Sequence, residues 1–269
     1  MKTALKYLLL AGGALAFAYP FLWMLAGSLK PELEIGDLNI FAGTFSLRSY
    51  AQVLLKIPIG RAFLNSVLVS AATTASVVMF GSMVGYALAR LRFRGRATLY
   101  TVILFTMTIP FQIVLIPQYI LMVKLGWTDT YMGLIAPTMM SAFSIVLFRQ
   151  FFMAIPQALI DAARVDGCTE PVILFRIVWP LSRPVIITVA LLTFMTNWNE
   201  VLWPLMVVRD QSLMTMPQIV TMFSTGGQAE TQLGYLLAAA SLLSLPVIVA
   251  YAFFQRYFIE SMASTGLKG

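Results

Sequence analysis

The sequence is poor in the residues that carry most enzyme chemistry. It contains one cysteine, Cys168, and no histidine. A single cysteine excludes an intramolecular disulfide and metal sites built from several cysteines. The absence of histidine removes the commonest general base, the HExxH zinc motif and most transition-metal ligation. No GxxxxGK[ST] loop, which would cradle nucleotide phosphates, occurs either. These absences favour transport or a structural role over catalysis.

Charged residues are also scarce. They make up 11% of the chain, against 59% hydrophobic residues, and the mean hydropathy is +0.85. Several apolar runs reach the ~20 residues that a helix needs to cross a bilayer, and they are continuous rather than alternating, which favours helices over a β-barrel. The sequence therefore predicts an all-α membrane protein of one domain, residues 1–269, with six transmembrane helices. The predicted spans are residues 7–29, 62–89, 97–123, 131–151, 184–208 and 233–257.

The first of these runs has some features of a signal peptide. It follows Lys2 and Lys6 and contains Ala16-Phe17-Ala18, which resembles a cleavage site. However, it is longer than the ~7–15 apolar residues of a signal peptide. We therefore expect a retained first span.

Two features of the apolar runs predict local geometry. Pro110 and Pro117 fall within the third run, and proline interrupts the backbone hydrogen bonds of a helix. That span should be kinked or broken near these positions. Gly81 and Gly85 have the GxxxG spacing, which lets the backbone of another helix approach closely.

Positive charge is distributed unevenly between the segments that connect the spans. Six spans place both termini on one side, and the segments of that side hold twelve of the 18 lysines and arginines. Because cytoplasmic loops are enriched in these residues, both termini and the loop 152–183 are predicted to be cytoplasmic. The arginines of RLRFRGR, residues 90–96, are expected to anchor this orientation beside anionic lipid headgroups. This bias explains the net charge of +7 without nucleic acid.

One cytoplasmic segment concentrates charge to an unusual degree, since residues 161–184 hold six charged side chains. We predict a short helix over residues 157–166, ended by Gly167, and a second helix over 170–178 that stops before Pro180. Such a pair would lie across the cytoplasmic mouth of the membrane domain as a handle for another protein. An amphipathic loop resting on lipid headgroups is the alternative.

The same segment resembles the cytoplasmic signature of ABC importer permeases, in which EAA is followed by DGA and later by PLxxP. The matching residues are Asp161-Ala162-Ala163, Asp166-Gly167-Cys168 and Pro180-Leu181-Ser182-Arg183-Pro184. Two positions depart from the family pattern. Asp161 stands in place of Glu, which keeps the charge on a shorter side chain, and Cys168 stands in place of a similarly small Ala.

Further stretches resemble the carbohydrate branch of this family, the maltose-type permeases, and occur in the right order along nearly the whole chain. They are Asn65-Ser66, Trp198-Asn199-Glu200, Trp203-Pro204-Leu205, Gln255-Arg256-Tyr257-Phe258 and Gly266-Leu267-Lys268-Gly269.

The resemblance implies a type I ABC importer permease fold with a cytoplasmic coupling-helix loop, and a role as half of a sugar-translocating pore. The implied partners are a second homologous permease, two copies of an ABC ATPase subunit, an extracytoplasmic sugar-binding protein and the lipid bilayer. ATP and Mg would bind to the ATPase, and this chain would bind no cofactor or metal itself. The implied location is the cytoplasmic (inner) membrane of a bacterium or archaeon.

The resemblance also assigns residues to the contact with the ATPase. Coupling is expected at Asp161, Ala162, Ala163, Asp166 and Gly167. The C-terminal tail, with Gly266, Lys268 and Gly269, is expected to reach the ATPase interface, and a polar terminus without a partner is the alternative.

The fifth span supplies candidates for the translocation path: Asn197, Trp198, Asn199, Glu200 and Trp203. Burying a carboxylate in a bilayer costs about 3 kcal/mol, so Glu200 is expected to face the pore or a partner helix. A structural hydrogen bond or a gating contact is the alternative for Glu200, and anchoring at the membrane interface is the alternative for the tryptophans. The partner permease can also hold most of the sugar contacts.

Other functions remain to be weighed. A glycerol-phosphate ester or another polyol can be the cargo of the same mechanism. A secondary transporter driven by an ion gradient needs ionisable groups near the midplane, for which the spans offer only Glu200. A membrane-embedded enzyme is disfavoured because neither histidine nor a convergent pair of acids is present.

Overall fold

The computed structural model describes residues 2–35, 43–225 and 232–266, and within those ranges all regular secondary structure is helical. The main helices are α1 (Lys2–Ser28), α2 (Arg48–Lys56), α3 (Ile59–Arg90), α4 (Arg96–Thr106), α5 (Phe111–Leu125), α6 (Tyr131–Thr138), α7 (Ala142–Ala154), α8 (Gln157–Val165), α9 (Glu170–Leu181), α10 (Arg183–Trp198), α11 (Leu202–Val207), α12 (Met216–Thr225) and α13 (Leu233–Gly266). The predicted all-helical class is confirmed.

The chain divides by internal contacts into two compact units. Unit one comprises Met1–Phe63 and Thr215–Ala250, and unit two comprises Leu64–Met214 and Tyr251–Gly269. That the whole chain acts as one membrane domain stays a prediction.

Two helices of the described part of the chain, α1 and α3, are each long and apolar enough to cross a membrane. Three helix pairs reach that length only together: α4 with α5, α6 with α7, and α9 with α10, bent by 100°, 44° and 87° respectively. The described apolar part of α13, Leu233–Val249, is shorter. The structure thus supports up to five spans by length and composition, and the count of six stays a prediction.

The break predicted in the third span is confirmed at Pro110. Helix α4 ends at Thr106, and Pro110 has extended backbone angles (φ −62°, ψ 136°) where α5 begins. Pro117 lies inside α5 without ending it. The fifth run differs from the expected continuous helix over 184–208, because α10 ends at Trp198 and α11 begins again at Leu202.

The second helix of the predicted cytoplasmic pair was expected to end before Pro180, and this prediction is wrong. Helix α9 continues to Leu181, with a π-helical stretch over Ile173–Val178 immediately before the proline. Proline lacks an N–H and its ring crowds the preceding turn. The wider turns of a π-helix relieve that crowding, which lets the helix run through Pro180 and turn at Ser182 instead.

Unit two has an apolar core to which α3, α7, α8, α9 and α10 contribute. The GxxxG glycines of α3 provide a close helix contact in this core. A Cβ on Gly81 would lie 2.6 Å from Ser144 Oγ, and one on Gly85 would lie 2.7 Å from Phe148 Cβ and 3.1 Å from the backbone nitrogen of Arg149. The predicted close approach is therefore confirmed, and the neighbour is α7 of the same chain.

Unit one joins α1, α2 and the start of α13. The carboxylate of Glu32 accepts the backbone N–H of Leu233 at 2.6 Å and of Gly234 at 2.9 Å, so it caps the N-terminus of α13. Ser28 Oγ and the Tyr50 hydroxyl lie 2.8 Å apart, which joins the end of α1 to α2.

Candidate functional site

Helix α8 has one buried and one exposed face. Ile160 is fully buried and Ala163 is 5% exposed, and both belong to the core of unit two. Asp161, Ala162 and Asp166 are exposed on the other side. Ala163 therefore packs inward, and its small side chain fits the core rather than the exposed surface. Helix α8 thus packs against the core of unit two through one face, and its other face is exposed.

The C-terminus of α8 is a Schellman motif centred on Gly167, so the predicted end of the helix at this glycine is confirmed. Gly167 has a φ of +79°, a conformation that strains other residues. The N–H of Gly167 donates to Arg164 O and the N–H of Cys168 donates to Ala163 O, each at 3.0 Å. This turn ends the helix sharply and places Asp166 and Gly167 at an exposed corner.

Six side chains form a chain of hydrogen bonds that joins α8 and α9 to the end of α3, and the backbone of α3 between Tyr86 and Arg90 completes a ring. We call this set the polar ring: Tyr86, Arg90, Gln157, Asp161, Arg164 and Glu170. On α3, Arg90 Nη1 donates to Gln157 Oε1 at 2.6 Å, and the Tyr86 hydroxyl donates to Glu170 Oε2 at 2.5 Å.

The part of the ring that lies on α8 is built on Asp161 and Arg164. Asp161 Oδ1 accepts Gln157 Nε2 at 2.9 Å and pairs with Arg164 Nη1 at 3.3 Å, and Arg164 Nε donates to Glu170 Oε1 at 2.8 Å. The hydrogen bond to Glu170 raises the pKa of Arg164 above its ordinary value, so the guanidinium stays charged. A cavity of about 670 Å³ opens beside the ring.

Arg90 also fixes the start of the loop. Its Nη2 donates to the backbone carbonyls of Phe152 and Ile155, at the end of α7 and just beyond it. A guanidinium carries several N–H donors in a fixed plane, so it can bind the two backbone carbonyls at the same time. Within RLRFRGR, Arg90 therefore serves packing between α3 and α7, whereas the orientation role of these arginines stays a prediction.

The structure gives Glu200 and Trp203 hydrogen bonds within the protein. Glu200 Oε1 accepts the backbone N–H of Trp203 at 3.1 Å, at the first turn of α11. Trp203 is 2% exposed, and its Nε1 donates to Gly133 O at 3.0 Å. The Glu200 contact is a structural hydrogen bond, as in the alternative that the sequence left open for this residue, whereas the Trp203 contact was not among the alternatives considered.

The other three candidates of the fifth span differ in exposure. Trp198 is 1% exposed and stacks on Phe194, with ring centroids 5.9 Å apart. Asn199 is exposed and donates to Met195 O at 2.8 Å. Asn197 is half-buried, donates to Thr193 O at 2.9 Å and lines a cavity of about 560 Å³. Asn197 is therefore the one of the five predicted path residues that lines this cavity.

Sequence reasoning did not foresee two polar contacts at the other end of unit two. Asn65 Nδ2 donates to Ser212 O and Met214 O, each at 2.9 Å, and its Oδ1 accepts the Tyr131 hydroxyl at 2.7 Å. The motif match at Asn65 was the available signal. Only the fold brings residues 212–214 to it.

Asp129 forms the second contact. It has a φ of +52° and its Oδ1 accepts the backbone N–H groups of Asp210 at 2.9 Å and Arg209 at 2.5 Å. These two bonds hold the pKa of Asp129 below its usual value.

The predicted tail contact falls largely outside the described residues. Gly266 ends α13, and Lys268 and Gly269 lie beyond the part of the chain that the structure describes. Within the described ranges, no three of the Asp, Glu and Cys side chains are grouped as a metal would require.

Comparison with known proteins identifies the class. Residues 78–264 match the family described as "Binding-protein-dependent transport system inner membrane component". The chain belongs to this family and is a multi-pass component of the inner membrane. Members are ABC transport permeases, which are not enzymes and bind no cofactor themselves, and they operate with a partner permease, an ATPase and a substrate-binding protein.

Individual relatives are similar over nearly their whole length. The arabinooligosaccharides transport system permease protein AraQ of Halalkalibacterium halodurans is 35% identical, over 98% of this chain and 97% of that protein. The lactose transport system permease protein LacG of Rhizobium radiobacter is 31% identical, over 97% and 95%. A chain from the crystal structure of a bacterial ABC transporter involved in the import of the acidic polysaccharide alginate has a TM-score of 0.82 at 24% identity, over 95% of this chain and 96% of that one. This last likeness confirms the type I permease fold.

Proposed function

We propose that this chain is a transmembrane subunit of an ATP-driven sugar importer and forms half of its pore. A second homologous permease forms the other half. Two copies of an ATPase subunit bind ATP and Mg below the membrane, and an extracytoplasmic binding protein delivers the sugar. Both termini lie in the cytoplasm. The cargo named for two relatives, arabinooligosaccharides and lactose, supports a sugar.

The observation that carries the proposal is the construction of α8. Its exposed face, with Asp161, Ala162 and Asp166, meets the ATPase, while Ile160 and Ala163 fasten it to the core. The polar ring then connects α8 to the end of α3. Closure of the ATPase dimer displaces α8. The polar ring transmits this displacement to α3, which is about 48 Å long.

The same construction assigns distinct roles to the coupling residues. Asp161 is 58% exposed, so it can meet a basic group of the ATPase while its Oδ1 stays in the ring. Gly167 sets the corner, and Asp166 is displayed on it. Val165 is 88% exposed at the same end and adds an apolar contact. Ala163 acts indirectly, by letting α8 sit close to the core. The tail from Gly266 to Gly269 forms a second ATPase contact.

Reconstitution in vesicles tests the proposal. The chain, its partner permease, the ATPase and the loaded binding protein are combined, and sugar uptake is compared with ATP inside and with an imposed proton or sodium gradient. We expect uptake only with ATP and the ATPase. Uptake on the gradient alone, without the ATPase, would identify an ion-coupled secondary transporter and refute the proposal.

A glycerol-phosphate ester or another polyol remains the alternative cargo of the same mechanism. It leaves the ATP requirement unchanged. Competition by unlabelled compounds for uptake distinguishes it from a sugar.

A further inference from the structure

A basic cavity lies in unit two where α4 begins, and none of the coupling residues is part of its wall. Its volume is about 550 Å³, within the range of ~300–1,000 Å³ that is common for small-molecule sites. Two arginines line it, Arg96 at the first position of α4 and Arg149 on α7. No acidic side chain is among the described residues of the wall, so the cavity is suited to an anion.

Arg149 lacks the partners that a half-buried cation usually has. Its guanidinium lies over the ring of Tyr100, with Cζ 3.9 Å from the ring centroid. Within the described ranges it makes neither a hydrogen bond nor an ion pair, and its Nε is buried. A guanidinium that stacks on an aromatic face keeps its in-plane N–H donors for other groups. Because an unpaired charge is costly to bury, Arg149 requires an acceptor from outside the chain.

The backbone at the start of α4 adds further donors. Gly95 is the N-cap of this helix, with a φ of +84°, and has no side chain that could cap it. The first N–H groups of a helix have no acceptor within the helix, and they favour a negative charge. Ala97 and Thr98 belong to this first turn and line the cavity together with both arginines. The end of the helix and the two guanidinium groups therefore favour the same kind of ligand.

The rest of α4 indicates which anion fits. No residue of α4 is buried, and Leu99, Val102 and Phe105 are 43%, 52% and 66% exposed. In a membrane protein such a surface suits hydrocarbon chains. The cavity lies at the polar end of this apolar surface, as the phosphate of a phospholipid lies at the end of its acyl chains.

The charge of the wall also discriminates between phospholipids. Phosphatidylcholine and phosphatidylethanolamine carry a cationic group beyond the phosphate, and no acidic side chain among the described residues of the wall can receive it. Phosphatidylglycerol carries only the negative charge. Basic side chains beside a membrane attract anionic lipids for the same reason.

We infer that this cavity binds the phosphate of an anionic phospholipid, through Arg149, Arg96 and the first turn of α4, while the acyl chains lie along α4. The sequence predicted only a general contact between the arginines of RLRFRGR and headgroups, and it predicted no role for Arg149. The bound phosphate joins the start of α4 to α7, the helix that leads into α8. The inference goes beyond the proposed function, because the site requires neither sugar nor ATP.

Lipid titration of the purified full-length chain in detergent, followed by native mass spectrometry, tests the inference. The probes are dioleoylphosphatidylglycerol and dioleoylphosphatidylcholine, which have the same acyl chains. We expect the first phosphatidylglycerol to bind about tenfold more tightly than phosphatidylcholine. Equal affinities would overturn the inference, and they are the result expected if a helix of the partner permease covers this part of α4.

A matched pair of variants tests the site itself. Arg149→Gln should weaken the binding of phosphatidylglycerol about tenfold and leave that of phosphatidylcholine within about twofold. Arg94→Gln is the control: it removes the same charge from an exposed position next to Gly95 that does not line the cavity. Equal losses in the two variants, or no loss in Arg149→Gln, would contradict a site built around Arg149.

Inorganic phosphate distinguishes a lipid from a soluble anion. The acyl chains contribute binding that free phosphate lacks, so about 1 mM phosphate should leave the affinity for phosphatidylglycerol unchanged within twofold. Displacement of the lipid at this concentration would assign the cavity to a soluble anion and overturn the lipid.

A labelling experiment covers the case in which Arg149→Gln does not fold. Cys168 is the only cysteine, so a Cys168→Ser background accepts a single reporter. In nanodiscs, adding phosphatidylglycerol to phosphatidylcholine should slow N-ethylmaleimide labelling of Thr98→Cys about threefold. Labelling of Val165→Cys, at an 88% exposed position of α8, should not change. Equal labelling of Thr98→Cys with and without phosphatidylglycerol would show that no anionic lipid occupies the cavity.

Discussion

At the scale of single residues, buried polar side chains of unit two form hydrogen bonds that decide their roles. Asn65 is 2% exposed and satisfies its amide with two carbonyls and one hydroxyl. Glu200 caps α11 through the N–H of Trp203. Each of these groups joins segments distant in sequence or begins a helix, so polarity inside an apolar span is not by itself evidence of substrate contact.

Asn65 provides a stability prediction. Asn65→Ala removes three hydrogen bonds, one of them to the carbonyl of the buried Met214, so we expect the free energy of unfolding in detergent to fall by about 2–4 kcal/mol. Asn199→Ala is the control, since Asn199 is exposed and bonds only Met195 O, and it should change stability by about 0.5 kcal/mol or less. Equal effects of the two variants would contradict the structural role of Asn65.

Asp129 provides a pH prediction. Its pKa is lowered in the folded protein, so its stabilising effect is present above the ordinary pKa of about 4 and is lost as the pH falls through the folded value. Between pH 7 and pH 3, the unchanged protein should lose more of its melting temperature than Asp129→Asn, whose amide oxygen still accepts the two N–H groups. Scanning fluorimetry in detergent measures both, and parallel curves would count against this assignment.

At the scale of elements, α3 organises unit two because its glycines, its tyrosine and its terminal arginine contact different neighbours. Gly85 admits α7, Tyr86 holds α9 through Glu170, and Arg90 holds α8 through Gln157. These three residues lie within two turns of α3. A displacement of α8 or α9 therefore acts on the same end of α3.

The glycine contact can be tested by adding one methyl group. Gly85→Ala should destabilise the protein by about 1–3 kcal/mol, because the new Cβ meets the side chain and backbone of α7. Gly60→Ala is the matched control in the same helix, with no atom within 4 Å of the new Cβ. It should be neutral or stabilising by up to ~1 kcal/mol, and a Gly85→Ala protein as stable as this control would exclude the close contact.

The contact between α3 and α9 can be tested by a double-mutant cycle. Tyr86→Phe removes the hydroxyl that bonds Glu170, and Glu170→Gln removes the charge that accepts it. We expect the double variant to lose about 0.5–3 kcal/mol less than the sum of the single losses, as groups in contact do. Unfolding in detergent measures the four proteins, and strictly additive losses would mean that the two groups act independently.

At the scale of the whole molecule, the proposed function requires that ATPase closure reach the pore through α8. Substitutions at two glycines can separate the coupling role of α8 from the general effect of backbone strain on stability. Gly167 ends α8 and Gly126 ends α5 in equivalent turns, with φ of +79° and +67°, and neither has an atom within 4 Å of an added Cβ.

Proline at either position demands a φ near −65° and removes the glycine N–H that closes the turn. Gly167→Pro and Gly126→Pro should therefore destabilise the protein by similar amounts. Only Gly167→Pro should also weaken assembly with the ATPase or lower sugar-stimulated ATP hydrolysis and uptake, about tenfold or more. Normal stimulated hydrolysis and uptake in Gly167→Pro would remove α8 from the coupling role.

Much of the molecule follows from local chemistry that the sequence displays directly. Continuous apolar runs must be helical where no water is present to bond the backbone, so the helical class was predictable. Pro110 marked a break, Gly167 marked the end of α8, and the charged segment with its family motif marked the candidate coupling site. The contacts of Asp129 and Asn65 were not predictable, because they join residues some 80 and 147 positions apart respectively.

The sequence by itself determined the helical class, the family and the turns at Pro110 and Gly167, because apolar runs, glycines and prolines act within a few residues. Only the tertiary structure decided which face of α8 is exposed and how Tyr86, Arg90 and Glu170 join the polar ring. It also decided which polar side chains line a cavity and which form hydrogen bonds within the protein. The physical reason is that a side chain's role depends on which groups lie within hydrogen-bond distance, and in this chain those groups come from other helices.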